Sequence, residues 1–381
     1  ALDRPMKLNP KAPDVIEVDF ERKIEMTMPE GKIFALEGEA TTVSSGATPH
    51  PLTLRANLGD CIKVNLTNKM KASRASFFAP GLAFDPKDSQ GLNVGNNGGD
   101  QTIGPGEKRQ YTYYAHPLNK ETTSLVWDGG NIVVNPRNGL YGAIIVGPRG
   151  SQYRDPVTGG DISQKNSWRA DVIVDTTLPE NVGKRNYRDV ALFFQDEDNI
   201  IGTAFMPYVQ NVAGLTSVNY RAEPYKFREE QGCSLGKIFQ PCVVGKPEDP
   251  ATPVIEAHAG DALRIHVIGA NSEQNGMFGI EGHEWPIEPY MPGADMISVV
   301  EYAGSETLDV FVRGGAGGPY RQVGDFVWSN QRLPYTQSGQ WGYLRVLPAG
   351  DTRIQPLGAF GAAAKRADLA PQPKATPTAM K

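Results

Sequence analysis

The apolar residues of this chain recur at every second position within short runs. Ile62, Val64 and Leu66 in one run, and Leu263, Ile265 and Val267 in another, stand two apart, the period of a strand with one face against a core. Clusters of Gly, Pro, Asn and Asp close the runs, which is the punctuation of antiparallel strands joined by turns. Roughly seven to eight such runs per ~150 residues predict a β-sandwich, and no long segment carries a helical period. Within Cys61-Ile62-Lys63-Val64-Asn65, Cys61 shares the parity of Lys63 and Asn65, so a free or interface thiol outside the core is expected.

The sandwich is predicted twice. PLTLRANLGDCIKVNLTN (Pro51 to Asn68) returns as TPVIEAHAGDALRIHVIG (Thr252 to Gly269), each an alternating run, a Gly-Asp turn and a second alternating run. GLYGAIIVGP from Gly139 returns as GQWGYLRVLP from Gly339, and the turn Gly104-Pro105-Gly106-Glu107 as Ala303-Gly304-Ser305-Glu306. A near-constant offset across three matches implies two copies of one domain. The expected organisation is a first domain (1–150), a polar link (151–168) and a second domain (169–350) with an insertion at about 203–250. An Ala/Pro-rich tail (351–381) follows, too poor in large apolar residues to build a core.

Composition narrows the class. With 39% hydrophobic and 21% charged residues, 42 Gly and 30 Pro, the 381 residues suit two turn-rich cores. A net charge of −5 spread along the chain argues against nucleic acid or an anionic membrane as partner. No apolar stretch approaches the ~20 residues that span a bilayer. The start ALDRPM has no basic n-region or apolar h-region; the expectation is a removed signal peptide and a protein that is secreted, periplasmic or at the cell surface. Cys233 and Cys242 lie in GCSLGKIFQPC, a spacing open to a local disulfide or to two unpaired thiols, and matching no zinc pattern. No CxxCH is present for covalent haem.

A family resemblance rests on longer segments. PLTLRANLGDCIKVNLTN, ASFFAPGLAFD, NPRNGLYGAIIVGP and DPVTG in the first half resemble the multicopper oxidases. So do FFQDED, VNYRAEP, DPATPVIEAHAGDALRIHVIGA, FGIEGHEWP and GDFVWSNQRLPYTQSGQWGYLRV in the second, in the manner of the bacterial manganese-oxidase-like branch. The resemblance implies an all-β fold of two tandem cupredoxin-like Greek-key β-sandwich domains.

It also identifies what has changed. The family's first copper motif, His-x-His-Gly, falls on Phe78-Ala79-Pro80-Gly81, and the second, His-x-His, on Trp127-Asp128-Gly129. The third, His-x-x-His-x-His, falls on Gly276, Gly279 and Glu281, beside His283, which matches a framework histidine. The fourth, His-Cys-His-x3-His-x4-Met, falls on Ser329-Asn330-Gln331, Tyr335 and Gln340. All twelve ligand positions are substituted, and the chain's five histidines are scattered, whereas copper in such sites takes thiolate and imidazole donors. Phe78, Pro80 and Trp127 are expected to fill the vacated cavity, and the polar replacements to bond one another or water.

Other constellations are weaker. Gln195-Asp196-Glu197-Asp198-Asn199 reads as an exposed acidic turn, with Asp196 and Asp198 as calcium candidates outside EF-hand spacing. The stretches Gly91 to Gln101 and Gly314 to Tyr320 lack the GK[ST] and helix of a phosphate cradle. His116 and His258 have no second histidine at ligand spacing, and Glu284 and Glu288 have nothing to place them across a glycosidic bond. No nucleophile elbow is present. The sequon Asn65-Leu66-Thr67 lies inside a predicted strand.

The expected function is therefore that of a copper-free, non-catalytic relative serving as an extracellular structural or binding subunit. Its expected partners are proteins, as a homo-oligomer or in a larger assembly with redox proteins such as a multihaem cytochrome. The alternative is an enzyme with a repurposed metal or small-molecule pocket around Asp128, Glu281 and Tyr335. No copper is expected, and calcium is the ion left open.

Overall fold

The computed structural model describes residues 1–19, 22–44, 49–198, 214–241 and 248–357. Strands dominate, and the longest helix among the described residues is Tyr225–Glu230, of six residues.

In the first domain the alternating runs form two three-stranded sheets. One orders Cys61–Thr67, Lys108–Tyr114 and Ala83–Phe84; the other orders Thr122–Val126, Gly142–Gly147 and Leu52–Asn57. Phe77, Tyr111, Tyr113 and Ile144 pack between them, while Cys61, Lys63 and Asn65 are exposed as their parity predicts. The second domain has a larger sheet of Gln152–Arg154, Arg169–Ile173, Tyr187–Asp198, Leu263–Asn271 and Thr307–Phe311, with Gly214–Val218 added on Tyr187–Asp198. Facing it is a sheet of Val254–His258, Trp341–Leu347, Gly324–Asn330, Gly276–Ile280 and Val299–Tyr302, over a core that includes Phe194, Ile265, Phe278 and Trp328. The repeat is structural as well as textual. Leu52–Asn57 runs parallel to Gly142–Gly147, and its counterpart Val254–His258 runs parallel to Trp341–Leu347.

Three expectations about the connections change. The link at 151–168 begins as a strand: Tyr153 is buried, and its hydroxyl donates to the Ala56 carbonyl at 2.7 Å, joining the domains. A run of three residues is too short to show a period, which is why it reads as polar linker. Part of the insertion at 203–250 belongs to the fold, since Gly214–Val218 completes the larger sheet and Phe227, Cys233 and Ile238 are buried. The tail is anchored as far as residue 357, with Ile354 and Leu357 buried, and 358–381 lie outside the described residues. Leu8, Ile16, Ile24 and Met26 join Leu125, Tyr141 and Ile145 of the first domain and Phe193, Tyr220 and Ile268 of the second in one shared apolar core.

Candidate functional site

Of the twelve positions that the resemblance sets at copper-ligand slots, all but Pro80 are packed or hydrogen-bonded, each by its own neighbours. Phe78 and Trp127 face each other across a two-residue bridge, with Phe78 N–H donating to Trp127 O at 3.0 Å and the reverse bond at 2.9 Å. Both side chains are partly buried, whereas Pro80 is exposed and fills nothing, so that part of the expected plug is corrected. Gly129 donates its N–H to Ser76 Oγ at 2.6 Å, and a Cβ there would sit 2.3 Å from Gly91 O and 2.4 Å from Leu92. On strand Gly276–Ile280, a Cβ on Gly276 would fall 2.1 Å from the Tyr302 ring, and one on Gly279 would fall 2.9 Å from the Gln331 amide. The space an imidazole would need at these glycines is occupied by other side chains.

Two of the polar replacements, Asn330 and Gln340, form a connected line. Asn330 is 1% exposed; its Nδ2 donates to Gln340 Oε1 at 2.8 Å and its Oδ1 accepts the Met277 N–H at 3.1 Å. Gln340 Nε2 donates to the Gln195 carbonyl at 2.8 Å, and the Gln195 side chain accepts from Tyr141 Oη at 2.9 Å and donates to the Arg137 carbonyl at 2.7 Å. The line thus crosses from the second domain to the first with its buried amides satisfied, as buried polar groups require. Ser329 Oγ accepts from Gln331 Nε2 at 3.1 Å.

Asp128, Glu281 and Tyr335 sit in separate surroundings. Asp128 is fully buried and holds its own loop, accepting N–H from Ser76 at 2.7 Å and Asn131 at 2.8 Å, and from Asn135 Nδ2 at 2.7 Å. Burial pushes its carboxyl up, with those bonds opposing. Glu281 is exposed and caps the Val327 N–H, while Tyr335 is buried beside Asp196. The interactions described for the three run to different neighbours: Ser76, Asn131 and Asn135 for Asp128, Val327 for Glu281, and Asp196 for Tyr335. The acidic turn is also corrected: Gln195 through Asp198 continue strand Tyr187–Asp198, and Asp196 is 1% exposed with its carboxylate on the Glu273 N–H at 2.8 Å. Asp198 lies at the strand end, opposite Gly214. Among the described residues no group of three or more His, Cys, Asp or Glu is arranged to hold a metal. Cys242 lies outside the described residues, so the proposed pair with buried Cys233 is not described.

Two of the histidines are framework groups. His283 Nε2 accepts the Gly317 N–H at 3.0 Å, which leaves Nδ1 to donate to Glu281 O at 2.7 Å. His258 stands between Arg188 and the Asp351 carbonyl.

His266 is the group the sequence reading missed. It is buried between Asp189, 2.6 Å from Nε2, and Asp309, 2.6 Å from Nδ1, with Thr123 of the first domain 2.7 Å from Nδ1. Asp189 also accepts from Arg55 Nε of the first domain at 2.9 Å. Burial opposes the imidazolium, but the two carboxylates outweigh it and raise its pKa to about 9. Burial likewise opposes the Asp189 carboxylate, yet His266 and Arg55 hold it well below the usual range. Next to it on the same strand, Arg264 Nη2 donates to Glu121 Oε2 of the first domain at 2.6 Å. The domains therefore meet over a charge-paired seam as well as an apolar core.

Comparisons with known proteins come from structure alone: no protein-family model and no curated protein matches the chain. A solved structure described as a multicopper oxidase superposes with a TM-score of 0.52 at 15% identity, covering 91% of this chain and 86% of that one. The multicopper oxidase mgLAC gives 0.52 at 15% identity, covering 92% and 86%. The blue copper oxidase of Nitrosomonas europaea gives 0.50 at 16% identity, covering 88% and 83%. Likeness at these identities is likeness of fold, and over most of its length this chain has the all-β, cupredoxin-type fold of the multicopper oxidases.

Proposed function

We propose that the chain is a copper-free, non-catalytic protein built on the multicopper-oxidase fold, acting outside the cytoplasm as a structural or binding subunit of a protein assembly. The observation that carries this reading is the filling of the ligand slots: Leu92, Tyr302 and Gln331 occupy the space beside Gly129, Gly276 and Gly279. The donor chemistry agrees, since Phe, Trp, Pro and Gly offer nothing to Cu(I) or Cu(II). An assembly role is supported by the exposed thiol of Cys61 and by exposed apolar side chains at Leu118, Ile132 and Tyr320. No helix among the described residues is long and apolar enough to cross a membrane.

Protein purified from copper-replete medium tests this by elemental analysis, with a visible spectrum and an assay of Mn(II) and phenol oxidation on the same sample. The expected result is less than one tenth of a copper per chain, no blue-copper band and no oxidase turnover. Stoichiometric copper with turnover would overturn it.

A further inference from the structure

At the rim of the interdomain seam lies a cavity of about 330 Å³, and none of the twelve substituted positions lines it. Its most unusual wall is Arg264, 5% exposed. The guanidinium carbon stands 4.5 Å from the ring centre of Tyr187 and 4.2 Å from that of Phe311, a cation against two aromatic rings. Nη2 is taken by Glu121, but Nε and Nη1 are buried with no hydrogen-bond partner among the described residues. A buried cation with spare donors is costly unless an acceptor meets them.

The rest of the cavity indicates what that acceptor is attached to. Lys184 and Arg185 stand at its mouth with Arg264 inside, three cations against the single carboxylate of Glu121. Glu121 is already shared between Lys184, at 2.8 Å, and Arg264. The excess positive charge selects an anion. The other walls are apolar, with Leu263 and Val312 beside Tyr290, which is 47% exposed and set edge-on to Phe311 at 5.4 Å. A flat apolar body resting on an exposed tyrosine ring suits an aromatic ring system, and the volume limits it to one or two rings.

We propose that this cleft is a binding site for a small aromatic carboxylate, its carboxylate drawn by the positive charge of Lys184, Arg185 and Arg264 and its ring lying against Tyr290. The proposal does not depend on the loss of copper, because the site is elsewhere.

The probe is 2-naphthoate, titrated calorimetrically into the full chain, with 2-naphthol as its uncharged counterpart. One saturable site is expected, at least tenfold weaker for 2-naphthol. It should weaken at least fivefold in Tyr290→Ala and in the double variant Lys184→Gln/Arg185→Gln, which alter the partly exposed rim. Because Arg264 is buried and its replacement risks misfolding, its role is read in the wild-type chain, where the Arg264 Nε–H resonance is expected to shift on binding. Absence of saturable 2-naphthoate binding to folded protein overturns the proposal. So does equal binding of 2-naphthol, or binding that neither rim variant nor the Arg264 resonance registers.

Discussion

Replacing His266 by Gln removes the cation at the centre of the seam while keeping a side chain of similar length. In the folded protein two carboxylates hold this imidazolium, and its pKa rises from 6.5 to about 9. At about 1.4 kcal/mol per pH unit, that difference corresponds to about 3 kcal/mol of stabilisation, in line with the ~3–5 kcal/mol lost when one partner of a buried pair is removed. The sign follows from the direction of the shift. A folded pKa above the unfolded one contributes in full below pH 6.5 and is lost as pH rises through about 9. The other charges facing the imidazole, Asp189, Asp309 and Arg55 with Arg264 close by, remain in both proteins. Urea unfolding followed by tryptophan fluorescence at pH 6, 8 and 10 should therefore show the variant about 3 kcal/mol less stable at pH 6, and less than about 1 kcal/mol less stable at pH 10. A difference that stays constant across that range, or a variant as stable as wild type at pH 6, would refute the view that His266 is held as a cation.

Three other perturbations probe separate features. Gly276→Ala drives a methyl into the Tyr302 ring and should lower stability by about 1–3 kcal/mol, read from the urea midpoint. Arg188→Met leaves Asp171 and Asp261 without the guanidinium that bonds them at 2.8 and 2.7 Å, and should lower stability by about 3–5 kcal/mol. It also frees the Gln355 carbonyl, so trypsin should cut faster after Arg353 than in wild type. Iodoacetamide under denaturing but non-reducing conditions should label Cys61 alone, and all three cysteines after reduction. Three labels without reduction would dismiss a Cys233–Cys242 bridge.

The strands and their duplication were legible because they are local. Ile62 and Val64 against Lys63 and Asn65 state a face of a sheet, and the two Gly-Asp turns state the repeat. Leu263–Asn271 misled for a physical reason. Its alternation reads as one buried face, but residues 263 to 270 are all buried, because the second face is covered by the first domain. Arg264 and His266 occupy that face. Their partners come from strands paired alongside, with Asp189 in register with Arg264 and Asp309 with His266, and from the other domain through Glu121 and Thr123. Separations of 43 and 77 residues from His266 to Asp309 and Asp189 leave no periodic trace. The acidic run at Asp196 failed in the same way: its charge suggested water, and the Glu273 N–H that its carboxylate accepts lies 77 residues away.

The tight fit of Tyr302 against Gly276 also bears on the history open to such a protein. A histidine placed at that position by one mutation would meet a ring where its own first carbon belongs, and would gain no metal without several other donors. Each early step toward a metal site would therefore be penalised in folding before any reward in chemistry. Packing of this kind works as a ratchet: where neighbouring side chains fill such a space, single mutations cannot open it for a metal, whereas the exposed surface stays free to vary.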